Sequence, residues 1–467
     1  METFNNPYIG KKVLVLGAGL SGVGASELLL NSGAFVTLTD LKREEDLDSS
    51  LNKINGRKNL ILHLGGHVPH DFTENEIIVI SPGVPSDHEL ILEGKRYGSK
   101  VISELELAFS FFSGRIIGIT GTNGKTTTTT LTGEIFKVHS RFVSSVAGNI
   151  GFPLTTAVLE NSRQDYIITE VSSFQLENIF LFKVYAGTVL NVEPDHMDRY
   201  RTVDEYAEVK GRLFNNQGEA DWIVLNLDDR FHDRFKNSTP ANAIPFSTLK
   251  VLETGLWIDS GKVCINIPEL NIRDDNFIEL SSLKLRGRHN YENILPSIAF
   301  GLIAGIPKEE QVPVLKSFSG LPHRIEFAGR IRGAEFYNDS KATNVSAVVR
   351  ALEMFAAEKI VLILGGSDKN LDFTPLLEPV RNSVFHLILI GETSAKLEKV
   401  FKNQVPYIKA GSMEDAVENG YSFVKDGGVV LLSPACASFD WFSNYKARGD
   451  AFKRAVTDLK NRVGDEG

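Results

Sequence analysis

Residues 118–130 read Gly118-Ile-Thr-Gly-Thr-Asn-Gly-Lys-Thr-Thr-Thr-Thr-Thr130. The stretch ends like a phosphate-binding loop, yet the strict G-x-x-x-x-G-K-[ST] pattern needs glycine at 119, where Ile119 stands. The apolar, β-branched run Arg115–Thr120 before it reads as a strand, and the residues after Lys125 read as a helix. In that setting backbone N–H groups around Gly121 and Gly124 line the loop. Lys125 reaches the terminal phosphates, and Thr126 offers a hydroxyl to Mg²⁺. A chance match is the bland alternative, and the strand–loop–helix context argues against it. The expectation is an ATP-type site.

Outward from this loop the chain alternates strands and helices. Val13–Leu16, Phe35–Thr39, Leu60–Leu64 and Ile77–Ile80 have strand length and composition, with a helical stretch over Ser21–Asn31. Tyr166–Glu170, Gly187–Val192 and Trp222–Asn226 continue the pattern after the loop, with a helix over Val203–Asn215. Shorter β-like pieces follow at Gly255–Ile258 and Lys262–Ile267, and a helix begins near Asn290. Ile360–Leu364, Phe385–Ile390 and Gly428–Leu432 then read as buried strands. Such alternation implies an α/β protein of βαβ units with mostly parallel sheets. A chain of 467 residues exceeds one ordinary core. Boundaries are placed to give segments 1–104, 105–320 and 321–467.

A second glycine loop, Gly17-Ala-Gly-Leu-Ser-Gly22, is a full G-x-G-x-x-G between a strand and a helix, with Asp40 closing the next strand. It fits a Rossmann-like unit whose helix N-terminus faces a phosphate. NAD, a different nucleotide diphosphate, and a tight turn with no ligand all remain open from this stretch alone.

Composition narrows the classes. Hydrophobic residues make up 42% and charged residues 23%, as in a soluble globular protein. A net charge of −9 disfavours nucleic acid as partner. Only Cys264 and Cys436 occur, so neither a disulfide framework nor a cysteine zinc site is expected. The apolar run after Lys11-Lys12 is broken by Gly17, Gly19, Gly22 and Gly24, unlike a signal peptide. No run reaches membrane-spanning length. A cytoplasmic protein without a membrane partner is expected.

Several other residues stand where ligands bind in parallel sheets, beyond strand C-termini. Glu170 closes one strand, and His196 follows another in Asn191-Val-Glu-Pro-Asp-His-Met-Asp-Arg-Tyr200. Lys210 reads as a solvated lysine on a helix. Asn290 and Asn293 share one helix face, where they could read an adenine edge, although capping by Asn290 is the simpler reading. Three polar stretches, 337–344, 364–369 and 433–440, bring Lys341, Lys369, Thr343, Ser438 and the apolar Phe439 to strand–loop junctions. That set suits a small carboxylic acid.

Together the motifs "GTNGKTT", "NVEPDHMDRY", "GRHNYEN", "GLPHR", "DSKATN" and "LLSPACASFDWF", with the first glycine loop, span essentially the whole chain. The chain resembles the Mur ligases of peptidoglycan synthesis, ATP-dependent enzymes that add amino acids to a UDP-muramoyl precursor. The "DHMDRY", "DSKATN" and "LLSPACASFDWF" runs are similar to the D-glutamate-adding branch. The Asp-Asn-Pro-Arg motif of the diamino-acid-adding branch is absent from the sequence. The resemblance implies three domains: a Rossmann-like N-terminal domain for UDP, a central P-loop domain for ATP, and a C-terminal Rossmann-like domain for D-glutamate. It also accounts for the shortened phosphate loop, and for a first loop that holds UDP rather than NAD.

Residue roles follow from the same resemblance. Gly17, Leu20, Ser21, Gly22, Asp40 and Gly83 would face the UDP moiety, and Asn149 the muramoyl group of UDP-N-acetylmuramoyl-L-alanine. Gly121, Thr122, Asn123, Gly124, Lys125, Thr126 and Thr127 would hold ATP phosphates, Asn290 and Asn293 the adenine, and Arg324 and Asp339 the nucleotide. Two Mg²⁺ ions are implied, one on Thr126 and Glu170, the other on His196 and a CO₂-derived carbamate of Lys210. Lys341, Thr343, Lys369, Ser438, Phe439 and Tyr445 would surround D-glutamate, with Tyr445 standing where the family has phenylalanine. A monomer is expected. A dehydrogenase, a nucleotide-binding switch and a folylpolyglutamate-type ligase are the competing classes.

Overall fold

The computed structural model describes residues 7–47, 51–52, 54, 57–160, 164–197, 199–285, 287–355, 358–368 and 371–464. The chain divides into two compact units, 1–318 and 319–467, and the described residues form three sheets.

The first sheet contains β1 (Lys12–Leu16), β2 (Phe35–Asp40), β3 (Leu60–Leu64), β4 (Ile77–Ile80) and β5 (Lys100–Ser103). Their spatial order is β3-β2-β1-β4-β5, all parallel. The order reverses between β1 and β4, so the crevice beyond their C-termini is the sheet's switch point. Val13, Leu14, Val15 and Leu16 are all buried, which explains a continuous apolar run in place of alternation.

The second sheet comprises β6 (Arg115–Thr120), β7 (Ser144–Gly148), β8 (Tyr166–Glu170), β9 (Ala186–Val189), β10 (Trp222–Asn226), β11 (Asn242–Ser247), β12 (Gly255–Asp259), β13 (Lys262–Ile267) and β14 (Ile272–Glu279). Their order is β14-β13-β12-β11-β10-β9-β6-β8-β7, with β13 antiparallel to both β12 and β14 and the other pairs parallel. The strand expected over 187–192 ends at Val189, because Leu190 and Asn191 turn away to bond the phosphate loop. The helix expected over 203–215 is α-helical only to Gly211 and tightens to a 3₁₀ turn at Arg212–Phe214.

The helix Glu104–Phe109 lies at the boundary placed after residue 104. Leu107 packs in the core of the first sheet, while Leu105 and Ala108 pack in that of the second. The two sheets therefore share a buried element within one unit.

In unit 319–467, β15 (Glu326–Ile331), β16 (Ala334–Asn338), β17 (Ile360–Gly365), β18 (Val384–Ile390), β19 (Tyr407–Lys409) and β20 (Gly428–Leu432) form a sheet ordered β15-β16-β20-β17-β18-β19. Only β15 runs antiparallel. Both cysteines are buried thiols. Among the described residues no helix is long and apolar enough to cross a membrane.

Candidate active site

The phosphate loop joins β6 to the helix Lys125–Lys137. Gly124 caps that helix at φ +81°, and a Cβ there would lie 2.0 Å from Asn293 Oδ1. Glycine is needed both for the left-handed backbone and for space. The loop after β9 clamps its far side. Asn191 accepts the Thr122 N–H through its carbonyl (2.9 Å) and the Asn123 N–H through Oδ1 (2.9 Å). Thr122 Oγ1 accepts the Glu193 N–H at 3.0 Å. Lys125 Nζ donates to the carbonyls of Gly121 (2.8 Å) and Thr122 (2.9 Å).

Lys210 is the principal correction to the reading from residues alone. Its side chain is buried, with 1% of the residue exposed, and Nζ donates to the Gly121 carbonyl at 2.9 Å. Two lysine amines thus meet on one loop carbonyl. Burial, and then the charge of Lys125, push the Lys210 amine well below the usual lysine range, with Asp195 opposing. A buried amine on a helix carries no sequence signal, because one lysine among charged residues reads as surface.

Tyr206, which sequence reasoning missed, links the surrounding groups. Its ring lies 4.2 Å from Lys210 Nζ and 6.3 Å, centroid to centroid, from the His196 ring. Burial raises its hydroxyl to about 12. His196 is exposed, at φ +55°, with its ring 4.9 Å from Phe174.

Glu170 closes β8 beside the loop and is buried. Asn149 Nδ2 donates to its Oε1 at 2.8 Å, while Oε2 is buried without a protein hydrogen-bond partner. An orphaned carboxylate oxygen beside a phosphate loop suits a hard cation. Among the described residues no three His, Cys, Asp or Glu side chains converge as a metal-binding group. A Mg²⁺ held mainly by phosphates with one carboxylate and a hydroxyl needs no such group. Thr126 opens the helix on the loop and is half-buried, and Thr127 behind it is buried.

Asn290 does not cap its helix. Gly287 is the N-cap at φ +96°, and Asn290 sits in the first turn of Arg288–Ile303. Asn293 is buried and accepts from Thr128 Oγ1 at 3.3 Å, so it packs this helix on the loop helix.

In the first sheet, Gly17 (φ +97°) and Gly22 build the glycine loop: a Cβ on Gly22 would overlap the Gly17 carbonyl. Leu20 and Ser21 open the helix Leu20–Asn31, and Leu20 is exposed. Asp40 accepts the Ala18 N–H at 2.6 Å and the Lys42 N–H at 2.8 Å. Its carboxylate thus buttresses the glycine loop. Gly83 lies in the turn closed by Val84 N–H to the Ser81 carbonyl, and Ser81 Oγ approaches the Gly17 carbonyl at 3.4 Å. The structure therefore brings the glycine loop and the turn 81–84 together at the switch point.

In unit 319–467 the candidates gather beyond the C-termini of β16 and β20. Asp339 is buried, accepting from Ser433 Oγ (2.8 Å) and the Ile325 N–H (3.3 Å), and burial raises its carboxyl to about 7. Arg324 contributes an opposing charge nearby. Lys341 Nζ lies 5.4 Å from the Tyr445 ring; Thr343 is half-buried and Ser438 buried, whereas Phe439 is 68% exposed. Lys369 lies outside the described residues. Arg448, also missed, is 1% exposed and ties these loops together. It donates to Ser340 Oγ, to the carbonyl of Ser340, and to the carbonyls of Cys436 and Ala437 at 2.8–3.0 Å.

Comparison with known proteins agrees along the chain. Residues 11–103 match the MurD-like N-terminal domain of Mur ligases, 119–301 the Mur ligase middle domain, and 323–436 the Mur ligase glutamate ligase domain. The UDP-N-acetylmuramoylalanine--D-glutamate ligase of Geotalea uraniireducens is 40% identical over 98% of this chain and 99% of its own. That of Geotalea daltonii is 41% identical over 96% and 98%. Among solved structures, a pseudomurein peptide ligase type C from Methanothermus fervidus superposes with TM-score 0.58 at 18% identity, covering 97% of this chain and 100% of its own. The UDP-N-acetylmuramate-alanine ligase of Thermotoga maritima gives 0.56 at 17% identity, with the same coverage. At such identities the structural likeness is one of fold.

Proposed function

The chain belongs to the Mur ligase family, and from that membership we infer that it joins D-glutamate to UDP-N-acetylmuramoyl-L-alanine with consumption of ATP, in peptidoglycan precursor synthesis. It is an ATP-dependent ligase. The observation that carries the reading is the meeting of Lys125 and Lys210 on the Gly121 carbonyl, beside the unpartnered oxygen of Glu170. Two amines at a phosphate loop and a carboxylate with one unpartnered oxygen make a polyanion site with a cation position.

A carboxylate and an amine do not condense usefully in water without activation. The γ-phosphoryl group passes to the L-alanine carboxylate oxygen, ADP leaves, and the D-glutamate amine attacks the acyl carbon and expels phosphate, losing a proton. Positioning and charge neutralisation dominate such transfers. Lys125 orients the phosphates; Thr126 and Glu170 would hold Mg²⁺. His196 and a carbamylated Lys210 would hold a second ion. Bound Mg²⁺ supplies neutralisation of phosphate charge. Lys210 as an ammonium is no ligand for a cation, but its burial favours the neutral amine, the form that reacts with CO₂. Segment 1–104 holds UDP, 105–320 ATP and 321–467 D-glutamate, in a monomeric cytoplasmic enzyme.

Phosphate release from ATP, measured with UDP-N-acetylmuramoyl-L-alanine and a panel of amino acids, tests the assignment. D-glutamate should be the preferred partner, and hydroxylamine in its place should trap the activated carboxyl as a hydroxamate. Equal use of L-glutamate, L-alanine or a diamino acid, or full turnover without trapping, would overturn it.

A further inference from the structure

One carboxylate outside these roles joins three segments of the first unit. Ser172 caps the short helix Ser173–Leu176 in a reciprocal capping box with Gln175, and this delivers Glu177 to the helix C-terminus. Arg199 donates to Glu177 from both Nε (2.8 Å) and Nη2 (2.5 Å), and the Tyr200 hydroxyl donates at 3.0 Å. Both donors close the loop that carries His196. From the other side Ser86 Oγ donates to Glu177 at 2.7 Å, and Asn178 Nδ2 donates to Ser86 Oγ at 2.9 Å. Ser86 lies in the turn 85–88, directly after the turn that Ser81 opens at the switch point of the first sheet. The Glu177 carbonyl accepts Arg212 Nη1 at 3.0 Å, from the 3₁₀ turn ending the Lys210 helix.

The whole junction is anchored. Glu106 accepts the N–H groups of Phe180, Leu181 and Phe182 at 2.8–3.0 Å, and the Ser103 N–H donates to the Asn178 carbonyl at 2.9 Å. Glu177 is only 14% exposed and Arg199 21%, so this pair is not a screened surface contact. A carboxylate saturated by an arginine fork and two hydroxyls has no capacity left for a ligand of its own. Its links run instead to the turn facing the acceptor's nucleotide, to the His196 loop, and to the Lys210 helix.

We propose that Glu177 is a positioning residue that couples the acceptor-side segment 81–86 to the His196 and Lys210 segments, so that acceptor binding and Mg²⁺–nucleotide binding reinforce one another. The proposal rests on the functional reading above. Coupling between sites is reciprocal and can be measured by binding alone.

The test uses the full chain and calorimetric titration of UDP-N-acetylmuramoyl-L-alanine, with and without Mg²⁺ and the β,γ-imido analogue of ATP. In wild type the analogue should tighten acceptor binding by about fivefold or more. Glu177→Ala should abolish that factor while leaving the KM for D-glutamate within about twofold. Glu177→Gln, which keeps the acceptor for the hydroxyls but not the charge for Arg199, should retain an intermediate factor. Should Glu177→Ala unfold, Ser86→Ala cuts only the acceptor-side link and should lower the same factor. Coupling absent in wild type, or unchanged in folded Glu177→Ala or Ser86→Ala, overturns the proposal. If wild type ligates D-glutamate while the variants keep their coupling, the positioning role alone falls. If wild type neither binds the acceptor nor turns over, the functional reading falls with it.

Discussion

The chemistry of single residues here is set by burial. Lys210 shows it most clearly, since an amine enclosed beside Lys125 cannot easily stay charged. Lys210→Ala should lose most ligase activity, and added acetate should partly restore it by supplying an oxygen donor. Lys210→Arg cannot form a carbamate and keeps its charge, so it should be as inactive as the alanine variant. Near-normal turnover of Lys210→Arg in CO₂-depleted buffer would refute the carbamate role. Asp339 offers a pH test in the other unit. Its folded carboxyl is raised to about 7, mainly by burial, so the folded state holds its proton more tightly than the unfolded chain. The stability this confers is complete below the unfolded value, near 3.9, and is lost as pH rises through the folded one. Thermal stability of unit 319–467 should therefore fall between pH 4 and 7 by more in wild type than in Asp339→Asn. Parallel pH profiles for the two proteins would contradict the assignment.

At the scale of elements, function collects where parallel strands end. β6, β8 and β9 deliver the phosphate loop, Glu170 and the loop through His196; β16 and β20 deliver Asp339, Lys341 and Ser438. The reason is general: helix N-termini and unpaired loop amides meet at the C-terminal edge of a parallel sheet. Lys341, close to the Tyr445 ring, is the described cation of the proposed D-glutamate site. Lys341→Ala should raise the KM for D-glutamate about 10- to 100-fold, as expected for losing one charge-assisted contact of roughly 1.5–3 kcal/mol. The KM for ATP should move far less. An unchanged KM for D-glutamate would remove Lys341 from that site.

For the whole molecule, two compact units with separate cores should unfold separately. Calorimetry of the full chain should resolve two transitions, and Asp339→Asn should shift only that of unit 319–467. UDP, proposed to bind at the first sheet, should shift only the other, by about 2.7 kcal/mol of stabilisation at a hundredfold excess over its Kd. The first two sheets should melt together, because the helix Glu104–Phe109 is buried against both. Three transitions, or a single one, would contradict this division.

Most strands, both glycine loops and the three-sheet α/β plan were legible in the sequence. Apolar runs bounded by glycine are local signals that any parallel sheet imposes on its strands. The motifs also placed Lys125 and Thr126 at a helix start and Glu170 at a strand end without any tertiary knowledge. What the sequence could not reveal depends on partners distant along the chain. Asn290 looked like a cap until Gly287 took that position, and that Asp40 braces the glycine loop through Ala18 was not visible in the strand it closes. Tyr206, Glu177 and Arg448 carry no motif, because each acts through contacts with segments remote in sequence. Lys210 is the sharpest case: its neighbours on the helix are ordinary, and only the fold buries it against the Gly121 carbonyl. The sequence by itself determined the elements and the glycine loops between strand and helix; tertiary packing alone decided which side chains lose water, and with it their charge.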